Sequence, residues 1–217
     1  MTSLGPRLRV TEVFYSLQGE ASRVGLPTVF VRLTGCPLRC GYCDSEYAFQ
    51  GGSWMSFEEI LAETRRYPTR HVTVTGGEPL AQRDCPDLLT RLCDAGYDVS
   101  LETSGALDIA GVDPRVARIL DIKTPGSGEM DRTRWDNLDR LTPRDEVKFV
   151  LCDAADYAWA RQVVRERRLH ERAAVLFSPV WGRVGARELA EWILRDGLPV
   201  RMQVQLHKLL WGEEPGR

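Results

Sequence analysis

The sequence has no run approaching the ~20 consecutive apolar residues that a membrane-crossing helix needs, so none of its 217 residues reads as part of a span, and no membrane partner is expected. Its opening, Met1–Arg7, lacks the apolar stretch of a secretory leader, so a cytoplasmic protein is expected. An excess of either charge is also missing. Lys and Arg number 29 against 31 Asp and Glu, a net charge of −2 that leaves no basic field for nucleic acid. No nucleic-acid partner is expected. Repeats, low-complexity tracts and long Pro- or Ser-rich linkers are absent too, which favours one domain over residues 1–217. What is present, 43% hydrophobic and 28% charged residues, is the balance of a globular chain with a core of its own. The length is short for a complete eight-stranded α/β barrel, where about 250 residues is typical.

Strand and helix patterns alternate. Thr11–Tyr15, Thr28–Thr34, His71–Thr75, Asp98–Glu102, Ile119–Lys123, Glu146–Leu151, Ala174–Phe177 and Val200–Gln205 read as strands, rich in β-branched and aromatic residues. Ser56-Phe57-Glu58-Glu59 is a capping box that opens a helix to about Arg66. Further helices are expected from Pro86 to Gly96 and over Arg132–Leu141, Ala154–Glu166 and Ala186–Arg195. Such alternation argues for a mostly parallel sheet with helices outside, curled by right-handed crossovers into a shortened, incomplete (β/α) barrel.

Of the six cysteines, Cys85, Cys93 and Cys152 lie in apolar-periodic segments and read as small buried hydrophobes. Cys36, Cys40 and Cys43 crowd one loop after an early strand, with Pro37 and Gly41 among them. Without a leader, a metal or redox role is the better reading of such a cluster. A C-x3-C-x2-C run cannot supply the four ligands of a structural zinc or fully protein-ligated iron–sulfur site. Either a fourth ligand comes from elsewhere, or one metal position is open to a small chelating molecule.

In a barrel of this kind the C-terminal strand ends carry the chemistry. Unusual residues recur there: the cysteine loop after Thr34, Thr75-Gly76-Gly77-Glu78-Pro79, Glu102-Thr103-Ser104-Gly105, Asp121 and Lys123 before Thr124-Pro125-Gly126, Ser178-Pro179, and His207-Lys208. Each has a plainer reading. Gly76-Gly77 can be a turn, Glu78 a helix-start carboxylate, Arg32 half of a surface ion pair, and His207 a structural histidine. Their common location favours a site.

The cysteine spacing, with Tyr42 just before the third thiol, resembles the signature of radical S-adenosylmethionine enzymes, and Gly76-Gly77-Glu78-Pro79 is similar to that superfamily's motif for the methionyl amine. The segments Glu12–Glu20, Phe30–Cys36 and Gln205–Lys208 resemble the 7-carboxy-7-deazaguanine synthase family, a similarity running from about Glu12 to Trp211. The resemblance implies a radical lyase of the queuosine-precursor pathway. It would convert 6-carboxy-5,6,7,8-tetrahydropterin to 7-carboxy-7-deazaguanine and ammonia, using a [4Fe-4S] cluster, S-adenosylmethionine and Mg2+. It further implies a homodimer and an electron donor such as flavodoxin or ferredoxin. Cys36, Cys40 and Cys43 would hold the cluster, and Ser45, where the family usually has Thr, the magnesium. Tyr42, Asp44, Gly76, Gly77, Glu78, Glu102, Ser104, Asp121, Lys123, Thr124 and Ser178 would meet the cofactor; Leu17, Gln18, Gly19, Glu20, Arg32, Thr75 and His207 would meet the pterin. Two alternatives share the cysteine loop: an activase acting on a partner protein, and a non-enzymatic metal module completed by Cys85 or Cys93.

Overall fold

The computed structural model describes residues 5–214 and 216, so part of the opening segment read for a leader lies outside the described residues. The strands are β1 (Arg7–Leu17), β2 (Pro27–Leu33), β3 (Ser53–Ser56), β4 (His71–Gly76), β5 (Asp98–Thr103), β6 (Ala117–Asp121), β7 (Glu146–Leu151), β8 (Ala174–Pro179) and β9 (Arg201–Met202). The helices are α1 (Phe57–Thr64), α2 (Cys85–Asp94), α3 (Ala154–Glu166), α4 (Ala186–Asp196) and α5 (Leu206–Trp211). All strands form one sheet in the order β3-β1-β2-β4-β5-β6-β7-β8-β9. From β2 to β9 every pairing is parallel, whereas β1 pairs antiparallel with both β2 and β3. Among the described residues the edges β3 and β9 do not meet, so the barrel is incomplete, as expected.

Strict alternation explains both the core and the site. Val29, Val31 and Leu33 of β2, Val72 and Val74 of β4, Val99 and Leu101 of β5, and Val147, Phe149 and Leu151 of β7 belong to one buried apolar cluster. Leu88, Leu89 and Leu92 of α2, Ala160 and Val164 of α3, and Leu189 of α4 join it from the helices. The intervening residues point the other way. Thr28, Phe30 and Arg32, Thr73 and Thr75, Ser100 and Glu102, and Lys148 therefore share the concave face. A parallel sheet buried on both faces would read as continuous apolar runs. This one alternates because its inner face is polar, with Thr73 Oγ1 and Ser100 Oγ 2.8 Å apart.

Because β1 runs against β2, its end lies at the base of the parallel strands, and the loop that follows plugs that base. Gln18 Nε2 donates to Thr73 Oγ1 at 3.1 Å and Lys148 Nζ to Glu20 Oε2 at 2.8 Å, both partners midway along their strands. Ser22 N donates to the Glu146 carboxylate and Arg23 Nη2 to Asp98, the first residues of β7 and β5. The loop thus descends the barrel axis and closes it from below.

Several sequence expectations need correction. Arg132–Leu141 is not an α-helix but 3-10 turns at Met130–Arg132 and Trp135–Arg140. Buried Asn137 donates to the Gly105 and Leu107 carbonyls and accepts from Ile109 N, which ties the segment to a loop in place of its own helical ladder. Val200–Gln205 keeps only Arg201–Met202 as strand, because the Gln203 and Gln205 side chains turn in to Glu20. The short edge strand β3 and the one-and-a-half-turn α5 carried no periodicity long enough to read. The Ser56 capping box is present as expected.

Candidate active site

Two adjoining cavities open on the concave face. The first, about 390 Å³, is lined by Cys36, Cys40 and Cys43 together with Gly76, Gly77, Ser104, Asp121 and Lys123. The second, about 430 Å³, is lined by Leu17, Gln18, Gly19, Phe14, Phe30, Tyr47 and His207. Glu20, Arg32, Thr75 and Glu102 border both, and so do Asp44, Ser45 and Gln205. A ligand in one cavity is therefore in reach of a ligand in the other across that common wall.

The cysteine loop is held by its backbone. Gly35 N donates to the Ala48 carbonyl at 2.8 Å, Glu78 N to the Gly35 carbonyl at 2.9 Å, and Gly41 N to the Ser127 carbonyl at 3.0 Å. Gly77 allows the β4 end to lie against this loop, since a Cβ there would sit 2.6 Å from Cys36 Cβ and closer still to the Gly35 carbonyl oxygen. Gly76 has φ +151° and a Cβ on it would meet the Leu33 backbone. Gly19 has a similar role in the second cavity: a Cβ would overlap His207 Nδ1.

The donor set fits a cluster with one open position. The Cys36, Cys40 and Cys43 thiols are partly exposed to one cavity, which no further cysteine and no histidine lines. Burial pushes the Cys40 thiol up to about 11, with the Lys123 ammonium working against it, and raises Cys36 as well. Cys85 is fully buried in the apolar core and Cys93 packs at its edge, so neither completes the site, which removes the support for a closed metal module. Among the described residues no group of three His, Cys, Asp or Glu gathers to hold a single metal ion. The cavity also offers a ligand something to bind. Asp121 Oδ1 and Tyr42 Oη are buried without a partner among the described residues, while Asp121 Oδ2 accepts from Lys123 Nζ at 2.9 Å. An acceptor left open this way suits a ligand hydroxyl or ammonium. Magnesium does not find the same fit. Asp44 Oδ2 accepts from Lys208 at 2.9 Å and Gln205 at 3.2 Å, and the Ser45 hydroxyl lies 3.8 Å from Cys43 Sγ, so neither side chain stands open for a hard cation.

Three expected cofactor residues lie elsewhere. Glu78 is 0% exposed, and its carboxylate accepts from Leu80 N, Ser104 N and the Thr103 and Ser104 hydroxyls. It brackets the ends of β4 and β5 and does not line either cavity. Thr124 is buried, donating to Asp156 at 2.8 Å, and so fixes the turn that carries Ser127 under Gly41. Ser178 is buried in β8 outside both cavities.

Lys148 is the main residue the sequence reading missed. Its ammonium lines the first cavity, 2.8 Å from Glu20 and 3.9 Å from Asp121. Burial works against its charge, but Glu20, Asp121 and Glu102 more than offset this and hold its pKa above the usual lysine range. Glu102 shifts the opposite way to a paired acid: burial raises its carboxyl pKa, only partly offset by Lys148, which favours the protonated form. Burial lowers the His207 pKa, with Glu20 and Asp44 pulling the other way, which favours the neutral imidazole.

The chain matches the family model of the radical SAM superfamily over residues 30–123. It is 45% identical to a 7-carboxy-7-deazaguanine synthase of Koribacter versatilis, over 95% of this chain and 98% of the relative. It is 44% identical to one of Chlorobaculum tepidum, over 95% and 96% respectively. Among solved structures, QueE from Escherichia coli superimposes with a TM-score of 0.75 over 93% of this chain and 95% of that one, at 24% identity, a likeness of fold.

Proposed function

This chain belongs to the 7-carboxy-7-deazaguanine synthase family of radical S-adenosylmethionine enzymes, and from that premise we propose that it converts 6-carboxy-5,6,7,8-tetrahydropterin to 7-carboxy-7-deazaguanine and ammonia. The observation that carries this reading is the common wall of Glu20, Arg32, Thr75 and Glu102 between a thiol-lined cavity and one lined by Gln18, aromatic rings and His207. When bound, the [4Fe-4S] cluster and S-adenosylmethionine supply the one-electron chemistry that removes a hydrogen atom from the substrate.

The protein's part is position and exclusion. Cys36, Cys40 and Cys43 would hold the cluster, and Gly77 lets the backbone after β4 lie against their loop. Asp121, Lys123, Tyr42 and Ser104 line the cofactor side, with the unpartnered Asp121 Oδ1 as acceptor. Phe14 and Phe30, stacked with centroids 4.8 Å apart, offer a flat face to a pterin ring. Gln18, Gly19 and Glu20 present amide and carboxylate groups to its donor–acceptor edge, and Arg32 suits its carboxylate. The plug below the site keeps water out from the base. Magnesium enters this proposal on the family resemblance alone, with Ser45 as the side chain that would offer it an oxygen. A homodimer, a flavodoxin or ferredoxin as electron donor and a cytoplasmic location rest on the family resemblance; among the described residues no helix is long and apolar enough to cross a membrane.

The test is an anaerobic turnover assay with reductant, magnesium, S-adenosylmethionine and the pterin, read by mass spectrometry. The product peak is expected. Deoxyadenosine without it would move the reaction to another substrate, and neither peak from cluster-loaded protein would overturn the reading. His207→Ala separates the two cavities: the KM for the pterin is expected to rise about five-fold, the worth of one neutral hydrogen bond, with S-adenosylmethionine affinity unchanged. Unaltered pterin kinetics would remove His207 from the site.

A further inference from the structure

We propose that Glu12 is a positioning residue for substrate recognition: from across a β-bulge it fixes the Arg32 guanidinium, so that the site reads a carboxylate on the pterin. The inference rests on the reading of the second cavity as the pterin site. Glu12 contacts no expected ligand group. Its carboxylate oxygen Oε1 accepts from Arg32 Nε at 2.7 Å and from Tyr47 Oη at 2.8 Å. Arg32 is 16% exposed, with its guanidinium carbon 5.5 Å from the centroid of the Phe14 ring and 5.5 Å from that of Tyr47. Among the described residues Nε is the only Arg32 side-chain nitrogen with a protein partner. Neither terminal nitrogen has a protein partner among the described residues, and Arg32 lines both cavities.

Strand register shows how the pair is made. Val10 faces Leu33 across β1 and β2, so regular pairing would set Thr11 opposite Arg32 and Glu12 opposite Val31. The register shifts between Val10 and Glu12, and Glu12 faces Arg32. A bulge adds a residue to one strand and re-aims the side chains beyond it. Here it turns a carboxylate toward the concave face, beside the one arginine of β2. A free guanidinium on a long chain samples many rotamers, and ordering it on binding costs affinity. Held at Nε by an anion and between two rings, Arg32 keeps its fork ready for a planar carboxylate.

The test is ligand binding to reconstituted protein in the presence of S-adenosylmethionine, by calorimetry, with no turnover. The probes are 7-carboxy-7-deazaguanine and 7-deazaguanine, which differ by the carboxylate. Wild-type protein is expected to favour the carboxylated ligand. Glu12→Gln should weaken that ligand about ten-fold and leave the other within about two-fold, the signature of one lost charge-assisted contact. Tyr47→Phe, which keeps the ring but removes one of the two donors to Glu12 Oε1, should weaken it about three-fold. Equal binding of both ligands by wild-type protein would remove Arg32 from carboxylate recognition and overturn the inference together with its premise. A wild-type preference that survives intact in Glu12→Gln but is lost in Arg32→Ala would overturn the role of Glu12 alone. Equal weakening of both ligands in Glu12→Gln would make it a structural residue and overturn the inference as well.

Discussion

Alanine at Gly77 is expected to abolish cluster loading and turnover, while alanine at Gly41, within the cysteine loop itself, leaves both close to wild type. The two glycines differ in what a methyl group would meet. At Gly41 a Cβ finds nothing within 4 Å, and the residue is exposed. Its backbone N–H, which ties the loop to Ser127, is unaffected by the change. At Gly77 the methyl would lie 2.6 Å from Cys36 Cβ and against the Gly35 carbonyl, and neither is the movable end of a side chain. Overpacking of this kind typically costs about 1–3 kcal/mol even where neighbours can relax. Here the relaxation is displacement of Cys36 and loss of the Glu78 N–Gly35 O bond, so the strain is released where the cluster binds. Iron and sulfide content, visible absorbance and product formation would be compared in the two variants. A Gly77→Ala protein that loads iron and turns over normally would show that the close approach has no role in holding the cluster loop.

The same glycines show what could be read from sequence and what could not. The alternation Thr28-Val29-Phe30-Val31-Arg32-Leu33 carried both faces of β2: apolar residues to the helices, Arg32 to the cavity. The cysteine spacing put three thiols on one short loop, and all three line one cavity because such a loop leaves few places for them to go. Glu78 misled because a motif records which residues recur together, without saying whether backbone or side chain does the binding. Its neighbours Thr103 and Ser104 lie at the end of a different strand, and their claim on its carboxylate appears only when β4 and β5 pair. Lys148 stayed hidden for a related reason. A lysine in Glu-Val-Lys-Phe-Val-Leu reads as a solvated residue until the β1–β2 loop is known to enter the barrel and set Glu20 beside it. The plug itself had no sequence signal, since its direction depends on β1 running antiparallel.

One buried ion pair joins the hydrogen bonds that hold that plug, and Glu20→Gln is expected to destabilise the fold by about 3 kcal/mol, the usual cost of leaving one member of such a pair uncompensated. The Lys148 and Glu20 side chains are 9% and 11% exposed, so solvent does little to screen the pair. Burial alone would raise the Glu20 pKa, but the Lys148 ammonium, with Gln205, overcomes it and sets the carboxyl below its usual 4.5. The sign of the pH dependence follows. In the unfolded chain Glu20 takes up a proton near pH 4.5, while the folded form stays ionised to lower pH. Its stabilisation is therefore complete above that value and lost as pH falls through the depressed one. For Lys148, held above its usual 10.5, the contribution is complete below that value and lost only as pH rises through the raised one. Between these limits the pair contributes fully, so the deficit of Glu20→Gln should be largest near pH 7 and narrow as the pH is lowered through the acid window. Urea unfolding of wild-type and variant protein at a series of pH values would measure it. A variant as stable as wild type at pH 7, or a deficit that stays constant down to pH 3, would mean that packing of the 18–26 loop closes the barrel without help from charge. If the deficit narrows as expected, the residue at the common wall of the two cavities also holds the barrel shut, and substitutions there will change stability and pterin binding together.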